Sequence, residues 1–326
     1  MRRRDFVAAL GGAAAWPLAA RAQQPATPVI GFLHVASPMP LTHLVAGLRR
    51  GLKEMGYAEG ENLRIEYRWA EGHYDRLPAL AADLVQAQVA VIVTGGGPPS
   101  ALAAKAATAT IPIVFNVSTD PVGMGLVASL GRPGGNATGI NLFTSELEAK
   151  RLGLLHEVAP TRSTITYMVN PDYPPSESNI REVEEAARRL GHEILLLRAT
   201  TANDIDAAFS TMSQARPAGL LVGADPFFYS RRAQILSLVA RLAIPTIYEQ
   251  REFALEGGLI SYGTDLVDAY RLQGVYAGRI LKGEKPADLP IQQPTKFALI
   301  LNLKTAKTLG ITFPPGVLAI ADEVIE

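Results

Sequence analysis

Ala107-Thr-Ala-Thr-Ile-Pro-Ile-Val-Phe115 is echoed far downstream by Ala240-Arg-Leu-Ala-Ile-Pro-Thr-Ile-Tyr248. Each reads as the tail of a helix, an Ile-Pro step and a short apolar strand. Two further landmarks recur in the same order and at nearly the same separation. Met55-Gly56-Tyr57 is matched by Leu190-Gly191-His192, and Val89-Ala-Val-Ile-Val-Thr-Gly-Gly96 by Ala218-Gly-Leu-Leu-Val-Gly-Ala-Asp225. The repetition predicts two copies of one α/β unit. Two similar lobes leave a cleft between them, and small ligands bind in such clefts.

Outward from these landmarks, apolar runs of strand length alternate with stretches of helical period, the pattern of parallel βαβ units. In the first copy, strands are expected at 28–35, 62–69, 89–94, 112–117 and 138–143. Helices are expected at 40–56, stopped by Gly56, at 75–87, and from a cap at Ser100 to about Thr108. A long helix, 144–158, crosses into the second copy. There strands are expected at 163–170, 192–198, 218–223, 246–249 and 258–262, with helices at 177–190, 203–214, 227–242 and 265–282. Thr201-Ala-Asn-Asp204 reads as a capping box with Asp in place of Glu. A strand at 295–303, a short helix near 303–309 and an apolar tail, 316–326, complete the chain. The expected division is residues 28–144 with about 263–290 in one lobe, and 145–262 with about 291–326 in the other.

The first residues read as an export leader, not as fold. Arg2-Arg-Arg4 precedes an apolar stretch, Val7 to Ala20, and Ala20-Arg21-Ala22 forms a small-x-small cleavage site before Gln23. Arg3-Arg4-Asp5-Phe6-Val7 fits the twin-arginine pattern; ordinary secretion is the alternative, and both export the chain. The sequence contains no cysteine, which rules out disulfides, thiolate metal sites, a Cys nucleophile and a lipid-modified Cys at the cleavage point. A free soluble protein of the bacterial periplasm is expected, cleaved after Ala22. Over the whole chain 31 basic residues balance 31 acidic ones. Removing the leader, with four arginines and one aspartate, leaves a slight acidic excess and no basic field for nucleic acid.

Ligands of parallel α/β sheets meet the loops at the carboxyl ends of the strands. In the first copy these are Val35-Ala-Ser37-Pro, Thr94-Gly-Gly96-Gly97-Pro-Pro-Ser100, Asn116-Val-Ser118-Thr-Asp120 and Asn141-Leu-Phe143. In the second they are Asn170-Pro-Asp-Tyr173, Gly223-Ala-Asp225-Pro-Phe227-Phe228, Tyr248-Glu-Gln-Arg251 and Tyr262-Gly-Thr-Asp265. Glycines let backbone N–H groups approach a ligand, and the helix after Ser100 turns its positive end toward the cleft, an arrangement suited to a carboxylate. The same loop also serves as an ordinary turn. Arg251 can clamp that carboxylate or pair with Glu249 or Glu252. Tyr173, Phe227, Tyr248 and Tyr262 can stack on a planar ligand or fill the core. Asp225 can accept from an amino group or cap a helix. No metal-ligand spacing joins the five histidines, and no cofactor is implied. The only dinucleotide-like letters, Gly123-Met-Gly125-Leu-Val-Ala128, lack the acidic residue that such a site needs. No phosphate-loop lysine or Gly-x-Ser-x-Gly elbow occurs.

Asp120-Pro-Val-Gly-x-Gly-Leu-Val, then Ser129-Leu-Gly-Arg-Pro-Gly-Gly-Asn-Ala-Thr-Gly139, resembles the signature of the ABC-transporter substrate-binding protein family that includes streptococcal tryptophan-binding lipoproteins. Gly51-Leu-x-Glu-x-Gly-Tyr57 and the ending Ala321-Asp-Glu-Val-Ile-Glu326 are similar to it as well. The resemblance spans nearly the whole mature chain. It implies the type I periplasmic binding fold, two Rossmann-like lobes joined by three crossover segments. It also implies a monomeric, non-catalytic protein that captures a solute by cleft closure and delivers it to an ABC permease in the inner membrane. Relatives bind aromatic amino acids. By motif order, Ser100, Asn116, Ser118, Asp120 and Tyr173 stand at the family's cleft positions. A sensor subunit for a receptor kinase and an exported enzyme are the rival readings.

Overall fold

The computed structural model describes residues 27–143, 147–159, 163–294 and 297–326; the expected export leader and the start of the expected crossing helix lie outside these residues. The first sheet contains β1 (Val29–His34), β2 (Arg64–Trp69), β3 (Val91–Gly95), β4 (Ile113–Val117) and β5 (Ala137–Asn141). They are parallel, in the order β2-β1-β3-β4-β5. Between them run α1 (Thr42–Glu54), α2 (Leu77–Gln86) and α3 (Pro98–Ala107). Val91-Ile-Val93 and Ile113-Val-Phe115 are fully buried, as strands covered on both faces must be.

The second sheet contains β6 (Thr164–Val169), β7 (Glu193–Arg198), β8 (Gly219–Val222), β9 (Thr246–Tyr248), β10 (Ile260–Thr264), β11 (Phe297–Asn302) and β12 (Glu323–Ile325). Its order is β12-β11-β10-β9-β8-β6-β7, and only the β10–β11 pair is antiparallel. The run β7-β6-β8-β9-β10 repeats the order β2-β1-β3-β4-β5 strand for strand, so the sequence echo is a structural duplication. Its helices are α4 (Glu148–His156), α5 (Ser176–Leu190), α6 (Ala202–Ala215), α7 (Pro226–Ser230), α8 (Arg232–Leu242) and α9 (Arg251–Leu255). The capping box is formed: Thr201 accepts from Asp204 N, and the Asp204 carboxylate accepts from Thr201 N.

Two helix readings are corrected. Ser100 does not cap α3. The helix begins at Pro98 behind Gly97 at φ 79°, with Pro98 and Pro99 in its first turn, and Ser100 is buried inside it. Proline suits the first helical position, where its missing N–H has no partner to lose. The single helix expected over 227–242 is broken at Arg231, whose N–H bonds back to Phe227 O and Phe228 O.

The chain changes sheets three times: between Asn141 and Glu148, at Asp265, and between Gln292 and Phe297. Gly263 and Thr264 remain in the second sheet, paired with Ala298 and Phe297. Ile291 and Gln292 remain on the first, through Ile291 N→Leu130 O and Asn141 N→Gln292 O. After the second crossing, α10 (Leu266–Leu281) returns to pack on α1 and on β3, β4 and β5. The tail contains α11 (Leu303–Leu309) and α12 (Pro315–Ala319), and β12 makes it the edge of the second sheet.

The contact between α1 and α10 is close at four glycines. Gly51 on α1 faces Gly274 on α10, Gly47 lies against Val267 O, and Gly278 lies against the Met55 side chain. A Cβ at Gly51 would stand 1.8 Å from Arg271 O, and one at Gly274 2.2 Å from Leu48 O. Glycines four apart on both helices let the main chains approach most closely at Gly51 and Gly274. Gly51→Ala or Gly274→Ala is therefore expected to lower unfolding stability by about 1–3 kcal/mol or more, since neither backbone can yield cheaply. Gly153→Ala in α4, where no atom lies within 4 Å of the added carbon, is expected to be neutral or mildly stabilising. Denaturant titration of the three variants measures the contrast; equal effects would show that the glycine contact is not close.

Candidate functional site

The carboxyl ends of the two sheets face each other across one cavity, which encloses about 500 Å³ of space not filled by protein atoms, its mouth included. The first sheet and its helices supply His34, Leu41, Leu44, Gly96, Gly97, Asn116, Ser118, Leu142, Leu266 and Tyr270. The second supplies Tyr173, Ala224, Asp225, Pro226, Tyr229, Glu249 and Gln250. Asn116 on β4 and Ser118 just after it are two apart and line the cavity, while Val117 between them enters the core.

A buried polar chain forms the floor on the first side. His34 Nδ1 accepts from Ala36 N at 2.9 Å, so Nε2 carries the proton and donates to Tyr270 Oη, also at 2.9 Å. Burial lowers the His34 pKa to about 3, so the ring is neutral. Asn116 donates to Gln273 Oε1 (3.1 Å), and Gln273 donates to Thr94 O (2.8 Å). The chain links β1, β3 and β4 to α10.

Polar contacts also join the two sides. Tyr74 Oη donates to Asp225 Oδ2 at 2.9 Å, Ser118 Oγ and Tyr173 Oη share a hydrogen bond, and Tyr229 Oη bonds His43 Nε2 at 2.9 Å. Asp225 has four donors in all, the others being Asn170 Nδ2 (3.2 Å), Phe227 N (2.6 Å) and Phe228 N (3.4 Å). It thus caps α7 and holds the opposite side together. Burial outweighs these donors and raises its pKa from 3.8 to about 7. Behind the cavity, the buried Glu148 accepts from Ala224 N at 2.8 Å and fixes the loop that presents Asp225.

Of the residues singled out from sequence, Gly96, Gly97, Asn116, Ser118, Tyr173 and Asp225 line the cavity, and Asn170 stands behind Asp225. The others do not line it. Arg251 reaches Glu323 on β12 at 2.9 Å, away from the cleft. Tyr248 is fully buried and stacks on Phe253 with ring centroids 4.3 Å apart. Tyr262 packs in the second core, its hydroxyl accepting from Lys150 Nζ at 2.6 Å. Phe227 is buried among core residues. Asp120 is exposed and caps its own turn through Val122 N and Gly123 N. Ser100 is enclosed in α3, and Ser37 and Phe143 are half-buried outside the lining. His34, Tyr229, Glu249, Gln250 and Tyr270 were not singled out. Glu249 and Gln250 lie in a loop that was, whereas Tyr229 and Tyr270 are on helices, where the strand-end rule does not look.

The model of a family described as ABC transporter substrate binding protein matches residues 30–325. A tyrosine-binding protein of Clostridioides difficile is 26% identical over 282 residues, 86% of this chain and 81% of that one. The crystal structure of an ABC domain in complex with L-Trp from Streptococcus pneumoniae superposes with a TM-score of 0.81 at 26% identity, covering 92% of this chain and 100% of that one. A ligand-free, open structure of a substrate-binding protein with adhesive properties from Clostridium difficile, also 26% identical, covers 91% and 99% but gives a TM-score of only 0.62. The architecture is that of the type I periplasmic binding proteins. Among the described residues no helix is long and apolar enough to cross a membrane.

The raised pKa of Asp225 has a definite sign in stability. Below about 3.8 the carboxyl is protonated in both the folded and the unfolded chain and imposes no penalty. As pH rises through about 7 the unfolded chain ionises freely while the folded site resists, so stability is lost across that window. Denaturant midpoints from pH 4 to 8 are expected to show this loss in the native chain and a flatter profile in Asp225→Asn. Parallel profiles would remove Asp225 as the cause.

Proposed function

Because this chain belongs to the ABC transporter substrate-binding protein family, whose members bind solutes and are not enzymes, we propose that it captures a small amino-acid-like solute and delivers it to an ABC permease. The solute carries a carboxylate and an aromatic or otherwise apolar body. It sits in the cavity between the two sheets, with the carboxylate toward Gly96 and Gly97 at the amino end of α3 and the body against Leu41, Leu44, Leu142 and Leu266. Capture is by hinge closure. Residues 28–142 with 266–292 move as one lobe and 147–264 with 297–326 as the other, about the three crossings. The leader exports the chain, and it works in the periplasm as a monomer.

The observation that carries this reading is the pair of TM-scores. Two relatives equally distant in sequence differ in state, and the chain matches the L-Trp complex at 0.81 and the open, ligand-free form at 0.62. The cross-cleft bonds Tyr74–Asp225, Ser118–Tyr173 and Tyr229–His43 belong to a closed arrangement. A solute touching both lobes shifts the population toward that arrangement by its extra affinity for it.

The test is a screen of L-tryptophan, L-tyrosine and other amino acids, aromatic acids and short carboxylates by thermal unfolding, with solution scattering of any hit. A solute at a hundredfold its dissociation constant is expected to add about 2.7 kcal/mol of stability and to reduce the radius of gyration. Stabilisation without contraction would sink hinge closure, and no stabilisation by any of these compounds would sink the solute class.

A further inference from the structure

Two carboxylates line the cavity, and they differ in what they hold. Asp225 accepts from four donors within the protein: Phe227 N and Phe228 N on one oxygen, Tyr74 Oη and Asn170 Nδ2 on the other. A carboxylate offers about four lone-pair positions, so Asp225 has none left for a ligand. Glu249, half-buried after β9, is the opposite case. Its side chain makes no hydrogen bond or ion pair among the described residues, yet it lines the cavity. The neighbour that would neutralise it, Arg251, is held by Glu323 at 2.9 Å.

Among the described residues that line the cavity there is no Lys or Arg to balance this charge, and the one histidine, His34, is neutral with both ring nitrogens engaged. Most neutral polar groups are committed as well: Asn116 to Gln273, Ser118 to Tyr173, Tyr229 to His43 and Tyr270 to His34. A partly desolvated carboxylate without a partner is costly, and a positive group on the ligand removes that cost. A ligand carboxylate meets only neutral donors, Gly97 N–H and the Gln250 amide beside Glu249.

We propose that Glu249 binds the ammonium group of the solute. A primary amine on an aromatic or aliphatic body is then obligatory, and the carboxylate contributes less than the amine. This deepens the proposed function and rests on the cavity being the solute site. It moves the amine from Asp225, where the sequence pattern put it, to the residue that still has a charge to offer.

The test is isothermal titration of the full chain with three forms of each of two side chains. These are L-tyrosine, tyramine and 3-(4-hydroxyphenyl)propionate, and L-tryptophan, tryptamine and indole-3-propionate. The amines are expected to bind within about tenfold of their amino acids and the deaminated acids at least about a hundredfold more weakly. Glu249→Gln is expected to weaken the amino acids and amines by about ten- to a hundredfold, with the unliganded melting temperature unchanged or raised, since the variant removes an unpartnered charge. Deaminated acids binding as well as the amino acids would overturn the proposal without any variant being made. So would a folded Glu249→Gln that keeps its affinity for an amine, or an amine that fails where its amino acid binds. In each of those cases the cavity stands as a solute site. No binding by any of the six compounds would overturn the cavity reading and the role of Glu249 together.

Discussion

The contact between α1 and α10 is what the rest of the molecule depends on. α10 follows a strand of the second sheet, yet it packs against the first. Only the close approach at Gly47, Gly51, Gly274 and Gly278 lets it settle there. Once seated, its amino-terminal half supplies Leu266 and Tyr270 to the cavity and Gln273 to the buried chain beneath it. The residues of the site are thus positioned by a packing constraint between main chains, where a change of even one methyl group has no room to be absorbed.

From that seat the polar chain His34–Tyr270 and Asn116–Gln273 follows. It satisfies buried groups on β1, β3 and β4, and it fixes tautomer and orientation: Ala36 N holds His34 Nδ1 as acceptor, so His34 donates to Tyr270. A buried network with its members paired is rigid, whereas one left half-paired is costly. The first lobe therefore presents a floor that is already organised and electrically neutral. Among the described lining residues the carboxylates, Asp225 and Glu249, come from the second lobe.

The duplication and the alternation of strands and helices were legible because both rest on local period, and the second sheet repeats the strand order of the first. The capping box at Thr201 was legible for the same reason, since its two bonds span only three residues. The site was legible to the level of loops and then failed by one position. Tyr248 and Glu249 are adjacent, so one enters the core where the other reaches the cavity; choosing the aromatic selected the wrong side of the chain. Arg251 failed for a different reason. Its partner Glu323 is brought close by β12, a strand formed by the tail, and no local pattern announces a pairing across that distance. Tyr229 and Tyr270 lie on helices whose approach is set by the packing of one lobe on the other and of α10 on α1.

The two acidic residues show how one fold gives like groups unlike work. Asp225 begins a helix, so backbone N–H groups already point at it, and Tyr74 and Asn170 complete its shell. It is buried because the lobes meet over it, and that burial opposes its ionisation even with every lone pair occupied. Glu249 follows β9, and the nearby N–H of Phe253 bonds to Gln250 O. Its carboxylate keeps its place at the cavity without a protein donor. A cleft that closes on a guest needs both kinds of group, one whose bonds are complete when the lobes meet and one whose bonds are complete only when the guest is inside. In the proposed closure, Asp225 would set the geometry and Glu249 would make closure depend on what is enclosed.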